Sequence, residues 1–250
     1  MVMNYKLEIC VDTVESALNA QVAGADRIEL CNNLAEGGTT PGFGTIITSR
    51  NNLTIGVNVI IRPRGGDFLY TDLEYDIMRR DIDLCGENGV DGIVLGILRS
   101  DGSIDVERNA RLVEFAKPMT VTFHRAFDMC TNPEISLEDV IDTGAEKLLT
   151  SGQKNNVSDG VELIARLVQQ AGNRIIIMPG GGLNLSNIDS IARTSKAKEF
   201  HLTGRKIRNS DMVYRKEGIS MSGSDELSEF FRKVADTDMI RSIIEILKNI

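Results

Sequence analysis

The residues with types and spacing suited to chemistry fall in short apolar segments. Glu8 and Cys10 alternate with Leu7 and Ile9, and Glu29 and Cys31 alternate with Ile28 and Leu30. Side chains along a strand point to opposite faces in turn, so each Glu–Cys pair shares a face. The same parity groups Asn58 with Arg62, Thr122 with His124, and His201 with Thr203. If the apolar sets face outward, one interior receives two carboxylates, two thiols, a guanidinium and both histidines of the chain. Carboxylates and imidazoles there could exchange protons with a substrate. Soft sulfur ligands could instead hold Cu(I), and on neighbouring strands the Cys10 and Cys31 thiols are expected to converge. Zinc fits less well, because its usual three or four ligands at recognisable spacing are missing. An internal salt bridge such as Glu29 with Arg62 is the purely structural use of the same residues.

His124 stands in Thr122-Phe123-His124-Arg125-Ala126-Phe127-Asp128 at a strand-to-loop junction, where a nearby carboxylate would set its tautomer for proton transfer. Gly180-Gly181-Gly182 precedes an expected helix near Leu185, and free amides at a helix start suit an anion. Arg62 and Arg64 would clamp that anion, with Asp67, Asp128 and His201 as further substrate-binding candidates. The loop Glu36–Gly42 is long enough to cover such a site as a lid.

Elements that would position these groups alternate along the chain. Strands are predicted at 6–10, 27–31, 57–62, 92–98, 120–124, 147–151, 174–178 and 199–203. Helices are predicted at 14–23, 44–51, 73–87, 106–116, 137–143, 161–171 and 185–195, with a closing helix at 226–248 after a polar loop at 206–225. That count is the count of a single α/β domain, a (β/α)8 TIM barrel spanning residues 1–250, with an open doubly wound sheet as the other possibility. Gly24-Ala25-Asp26, Gly89-Val90-Asp91 and Gly144-Ala145-Glu146 each stand before a predicted strand, a faint repeat of helix-to-strand turns. Barrel enzymes keep their sites at the C-terminal ends of the strands, where most of the inward polar residues fall.

Composition removes other classes. The net charge of −8 with no Trp and 5% aromatics is a poor match to nucleic acid. No run of about 18 apolar residues suggests a membrane span, and the start shows no secretory pattern. Four scattered cysteines without a CxxC pair read as reduced thiols of a cytoplasmic protein.

Several blocks together resemble the CutC family, the copper homeostasis proteins. They are Gly24–Cys31, Gly37-Gly38-Thr39-Thr40-Pro41, Ile61–Phe68, Thr122–Asp128, Leu149-Thr150-Ser151-Gly152, the Gly180–Gly182 triplet and Glu199-Phe200-His201. Gly42 and Leu202-Thr203 depart from the residues common in that family. The resemblance implies a cytoplasmic, homo-oligomeric TIM barrel that binds copper, with Cys10 and Cys31 as the matching thiols. The first functional expectation is therefore a Cu(I)-binding protein. The second is a metal-free barrel enzyme on a small anionic or phosphorylated substrate, with Glu8, Glu29 and His124 as catalytic groups.

Overall fold

The computed structural model describes residues 5–216, 218–219 and 229–250. Strand and helix alternate through β1 (Lys6–Val11), α1 (Val14–Ala23), β2 (Arg27–Leu30), α2 (Phe43–Asn52), β3 (Gly56–Ile60), α3 (Asp72–Glu87), β4 (Gly92–Leu95) and α4 (Val106–Ala116). They continue through β5 (Thr120–Phe123), α5 (Pro133–Asp142), β6 (Lys147–Thr150), α6 (Val157–Ala171), β7 (Ile176–Pro179), α7 (Ile188–Ser195) and β8 (Glu199–Leu202). All ladders among these strands are parallel, in the order β7-β6-β5-β4-β3-β2-β1-β8. β7 and β8 lie side by side and complete the round, with no ladder between them among the described residues. This is the TIM barrel.

Side-chain chemistry explains where the helices start. Thr13, Asp105, Asn132 and Asn156 each accept a backbone N–H of the following helix, filling donors that have no partner inside it. Thr71 and Glu74 form a reciprocal capping box on α3. Gly24 ends α1 in the left-handed conformation, and Gly144 has φ +84 after α5; both turns fall where the repeat predicts them. The outward residues Leu7, Ile9, Ile28, Val57, Val59, Ile93 and Phe200 are buried in one core with the inner faces of the helices. Each such side chain contributes about 1.5–3 kcal/mol by leaving water. Inside the barrel, Cys10, Cys31, Ile60 and Val94 form a separate small apolar cluster, so the parity along the strands holds.

The chain departs from expectation near its end. Arg205–Asn209 (β9) pairs antiparallel with Phe231–Ala235 (β10), where a polar loop starting at 206 was predicted. The final helix, α8, spans Thr237–Lys248, eleven residues short of the predicted start at 226. Most of the ribbon is exposed and only Val234 and Ala235 at its end are buried, so it has no apolar alternation to read. Charge anchors the exposed part: Arg208 and Arg232 both pair with Glu15 of α1. Residues 217 and 220–228, which belong to the predicted loop and helix start, lie outside the described residues.

Candidate functional site

The lower part of the barrel interior is ionic. Arg27 Nε lies 2.6 Å from Glu8 Oε2, and Arg27 Nη2 lies 2.6 Å from Glu199 Oε2. Nη2 also reaches Met178 Sδ at 3.1 Å, and Asn58 Nδ2 donates to Glu8 Oε2 at 2.8 Å. All of these polar residues are buried. Sequence reasoning missed Arg27, Glu199 and the equally buried Lys147. Each is the first residue of its strand and in phase with Glu29, His201 and Leu149, so extending the parity two residues back would have found them. Arg27 is the cation that pairs with Glu8 and Glu199, and the Glu29–Arg62 bridge of the purely structural reading does not form among the described contacts.

Above this floor sits a cluster of thiols, carboxylate and imidazole. His201 Nδ1 is 2.8 Å from Glu8 Oε1, and its Nε2 is 3.4 Å from Glu29 Oε2. Cys10 Sγ and Cys31 Sγ are 3.6 Å apart. The thiols meet although their residues are not level: the register pairs Cys10 with Glu29, and Cys31 approaches along the diagonal. The ligand atoms of Cys10, Glu29 and Cys31 lie within 4.8 Å of one another, as do those of Glu8, Glu29 and His201.

Protonation follows from these contacts. Burial alone would raise Glu8, but the Arg27 charge and the His201 hydrogen bond outweigh it and hold Glu8 at about 2. The hydrogen bond from Cys31 outweighs burial at Cys10 and, with His201, lowers it to about 5. Cys31 moves far upward, through that same bond and burial. Burial and the neighbouring Cys10 push Glu29 well above the ordinary carboxylate range. His201 rises despite burial, because Cys10 and Glu8 favour its charged form. The cluster thus favours charge on Glu8, Cys10 and His201 and a retained proton on Cys31 and Glu29.

Over the cluster lies a cavity of about 390 Å3, lined by Cys10, Glu29, Leu34, Glu36, Arg62, Phe68, His124, Arg125, Asp128, Leu149, Gly181, Gly182, Leu183, His201 and Arg205 among others. The loop after β2 forms one wall. Arg62 Nη1 donates to the carbonyls of Glu36 and Gly38 at 2.8 and 2.7 Å, and Nη2 to that of Gly66 at 2.8 Å. Arg62 therefore pins this lid rather than standing free for an anion. Arg64 and Asp67 do not line the cavity: Arg64 pairs with Asp67 and Glu74 and stacks over Tyr70. Asp128 lines it but accepts from Arg125, Thr150, Ser151 and Gln153. The His124 tautomer is set by the Ala126 N–H, which donates to Nδ1 at 3.2 Å, and not by a carboxylate. Gly180 N donates to Thr150 O, and α7 starts at Ile188 rather than Leu185. The triplet is therefore separated from the helix start, because Asn184 and Asn187 build their own turn onto the Gly182 carbonyl. Gly181 and Gly182 remain at the cavity wall.

Fold and site define a class: a (β/α)8 barrel with two buried cysteines, buried carboxylates and an imidazole beneath a half-open mouth. The model of the CutC family matches residues 5–206. The chain belongs to the CutC family. It is 46% identical to the copper homeostasis protein cutC homolog of Homo sapiens, over 98% of this chain and 90% of that protein. A CutC family protein of Chromobacterium violaceum is also 46% identical, over 98% and 99%. A CutC crystal structure from Streptococcus agalactiae superposes with a TM-score of 0.76 at 36% identity, covering 80% of this chain and 98% of that one. Phosphoribosylanthranilate isomerase of Thermotoga maritima, at 13% identity and a TM-score of 0.59, shares the fold. Among the described residues, no helix is long and apolar enough to cross a membrane.

Proposed function

We propose that this protein binds Cu(I) in the barrel interior through Cys10 and Cys31, as a cytoplasmic copper homeostasis protein. The observation that carries the reading is the 3.6 Å approach of two buried thiols on neighbouring strands. Thiolates are the ligands that soft Cu(I) prefers, and the names of the human and murine relatives point the same way. The pair draws Cys10 down and Cys31 up, and copper binding by two thiolates displaces the proton that the pair retains. Affinity is therefore expected to rise with pH. The four cysteines are free and buried, as suits a reducing compartment. Homo-oligomerisation, expected from the family resemblance, is measured by light scattering.

The test is an anaerobic Cu(I) titration against a competing chelator. Wild type is expected to take up copper tightly, and the Cys10→Ser/Cys31→Ser double variant to lose that uptake. Retention of tight binding by the double variant would remove the proposed ligands.

A second reading, action on a small anionic or phosphorylated molecule, is favoured by the cavity, whose volume lies in the range of small-molecule sites. In that reading Glu29, whose burial favours its protonated form, and the Cys10–His201 pair move protons. Glu8, locked by Arg27, Asn58 and His201, orients the imidazole. Native mass spectrometry of the purified protein, read for a bound metabolite, tests it.

A further inference from the structure

We propose that the mouth cavity binds a small organic oxyanion through the Nε2–H of a neutral His124, beside the Arg62 guanidinium. The inference rests on the second reading above, that the cavity is a ligand site, and assigns the groups that receive the ligand.

His124 is 4% exposed. Its Nδ1 accepts the Ala126 N–H, so in the neutral ring the proton sits on Nε2. Burial and the charge of Arg62 hold the ring at about 3, which keeps it neutral. That Nε2 is buried and has no hydrogen-bond partner among the described residues, whereas the Arg62 guanidinium is engaged by three carbonyls and lies against the Tyr70 hydroxyl. Buried donors without partners are rare in folded proteins. His124 and Arg62 line one cavity and flank one ring: the Arg62 guanidinium carbon and the His124 centroid each lie 5.0 Å from the centre of Phe68. The ring orientation depends on Gly96, since a Cβ there would lie 2.6 Å from His124 Nδ1.

The polarity of that group selects the ligand class. Nε2 is an N–H donor, so it calls for an acceptor, and the charge of the neighbouring Arg62 guanidinium makes an anionic acceptor the best match. A metal ion is excluded at His124, because Nδ1 is engaged and Nε2 carries hydrogen. This subsite is therefore chemically distinct from the thiol pair. Of the carboxylates on the cavity wall, Asp128 is saturated by donors and Glu36 accepts from Asn33 Nδ2, while the guanidiniums of Arg62, Arg125 and Arg205 line the same cavity. Leu34, Leu149 and Leu183 on the cavity wall suit a carbon skeleton behind the oxyanion.

The experiment titrates reduced wild-type protein with malonate, with inorganic phosphate and with chloride as a control, following the His124 Nε2–H resonance by nitrogen-edited NMR. Saturable shifts with malonate or phosphate, and none with chloride, are expected, and the stronger of the two identifies carboxylate or phosphate as the recognised group. His124→Phe, checked for folding by circular dichroism, is expected to weaken binding by about tenfold or more, and His124→Gln, which keeps a donor, by less. No binding of either anion to wild type, to about 50 mM, overturns the cavity reading and this inference together. Binding that survives His124→Phe unchanged overturns the inference alone, as does a crystal structure of the malonate-soaked protein with only water on Nε2.

Discussion

His124 and His201 are the same ring in opposite surroundings, and the pH dependence of folding separates them. His124 falls from 6.5 to about 3 on folding, so between those values the unfolded chain takes up a proton that the folded one refuses. Its contribution is full above 6.5 and disappears as pH falls towards 3. His201 moves upward, so its contribution is full below 6.5 and declines as pH rises. Glu8, drawn down from 4.5 to about 2, adds an acid loss that starts lower than that of His124. Replacing His124 by Gln is therefore expected to flatten the fall in Tm between pH 6.5 and 4.5; curves parallel to wild type would contradict the neutral buried ring. Strand parity was enough to turn Glu8, Cys10, Glu29, Cys31 and both histidines inward. Which charges pair was not legible, because parity gives a direction and not a partner. Glu8 took Arg27 from the neighbouring strand, and Arg62 took carbonyls.

The loop between β2 and α2 is an element tied to the end of β3 at Thr40 and latched at its tip by one side chain. It has a short 3-10 turn at Leu34–Glu36 and a single bridge between Asn32 and Thr39. Arg62 adds three bonds to carbonyls. In Arg62→Met those carbonyls lose a charged donor, about 1.5–3 kcal/mol for such a bond. Amide exchange at Glu36–Gly38 is expected to accelerate by about tenfold or more, with β1 and β2 unaffected; unchanged exchange would show that the loop stands without Arg62. The lid was legible from its length alone. Its latch was not, because Arg62 read as an anion clamp and carbonyl acceptors leave no mark in a sequence. Helix starts were legible where a cap precedes an apolar face, as at Thr13 and Asp105. The start of α6 was placed four residues late, since Asn156 caps a first turn whose Ser158-Asp159-Gly160 looks like loop.

At the scale of the whole barrel, closure depends on a cross-brace. Arg27, on β2, reaches through the interior to Met178 on β7 and Glu199 on β8, the two strands that lie together without a ladder. Removing one member of a buried ionic group costs about 3–5 kcal/mol, so Arg27→Met is expected to lower stability by that order in a denaturant titration. A second change, Glu199→Gln, which removes one stranded charge, is expected to restore part of the loss. A barrel has no edges only while it stays shut. If β7 and β8 part, the N–H and C=O groups along their seam, which share no ladder even in the closed barrel, are laid open as a template on which a strand from another molecule can add. The ion group therefore acts as a guard against self-association. Arg27→Met protein is expected to form β-rich aggregates at a rate that rises with concentration, at temperatures where wild type stays dispersed; a destabilised variant that remained dispersed would show that side-chain packing alone keeps the seam closed.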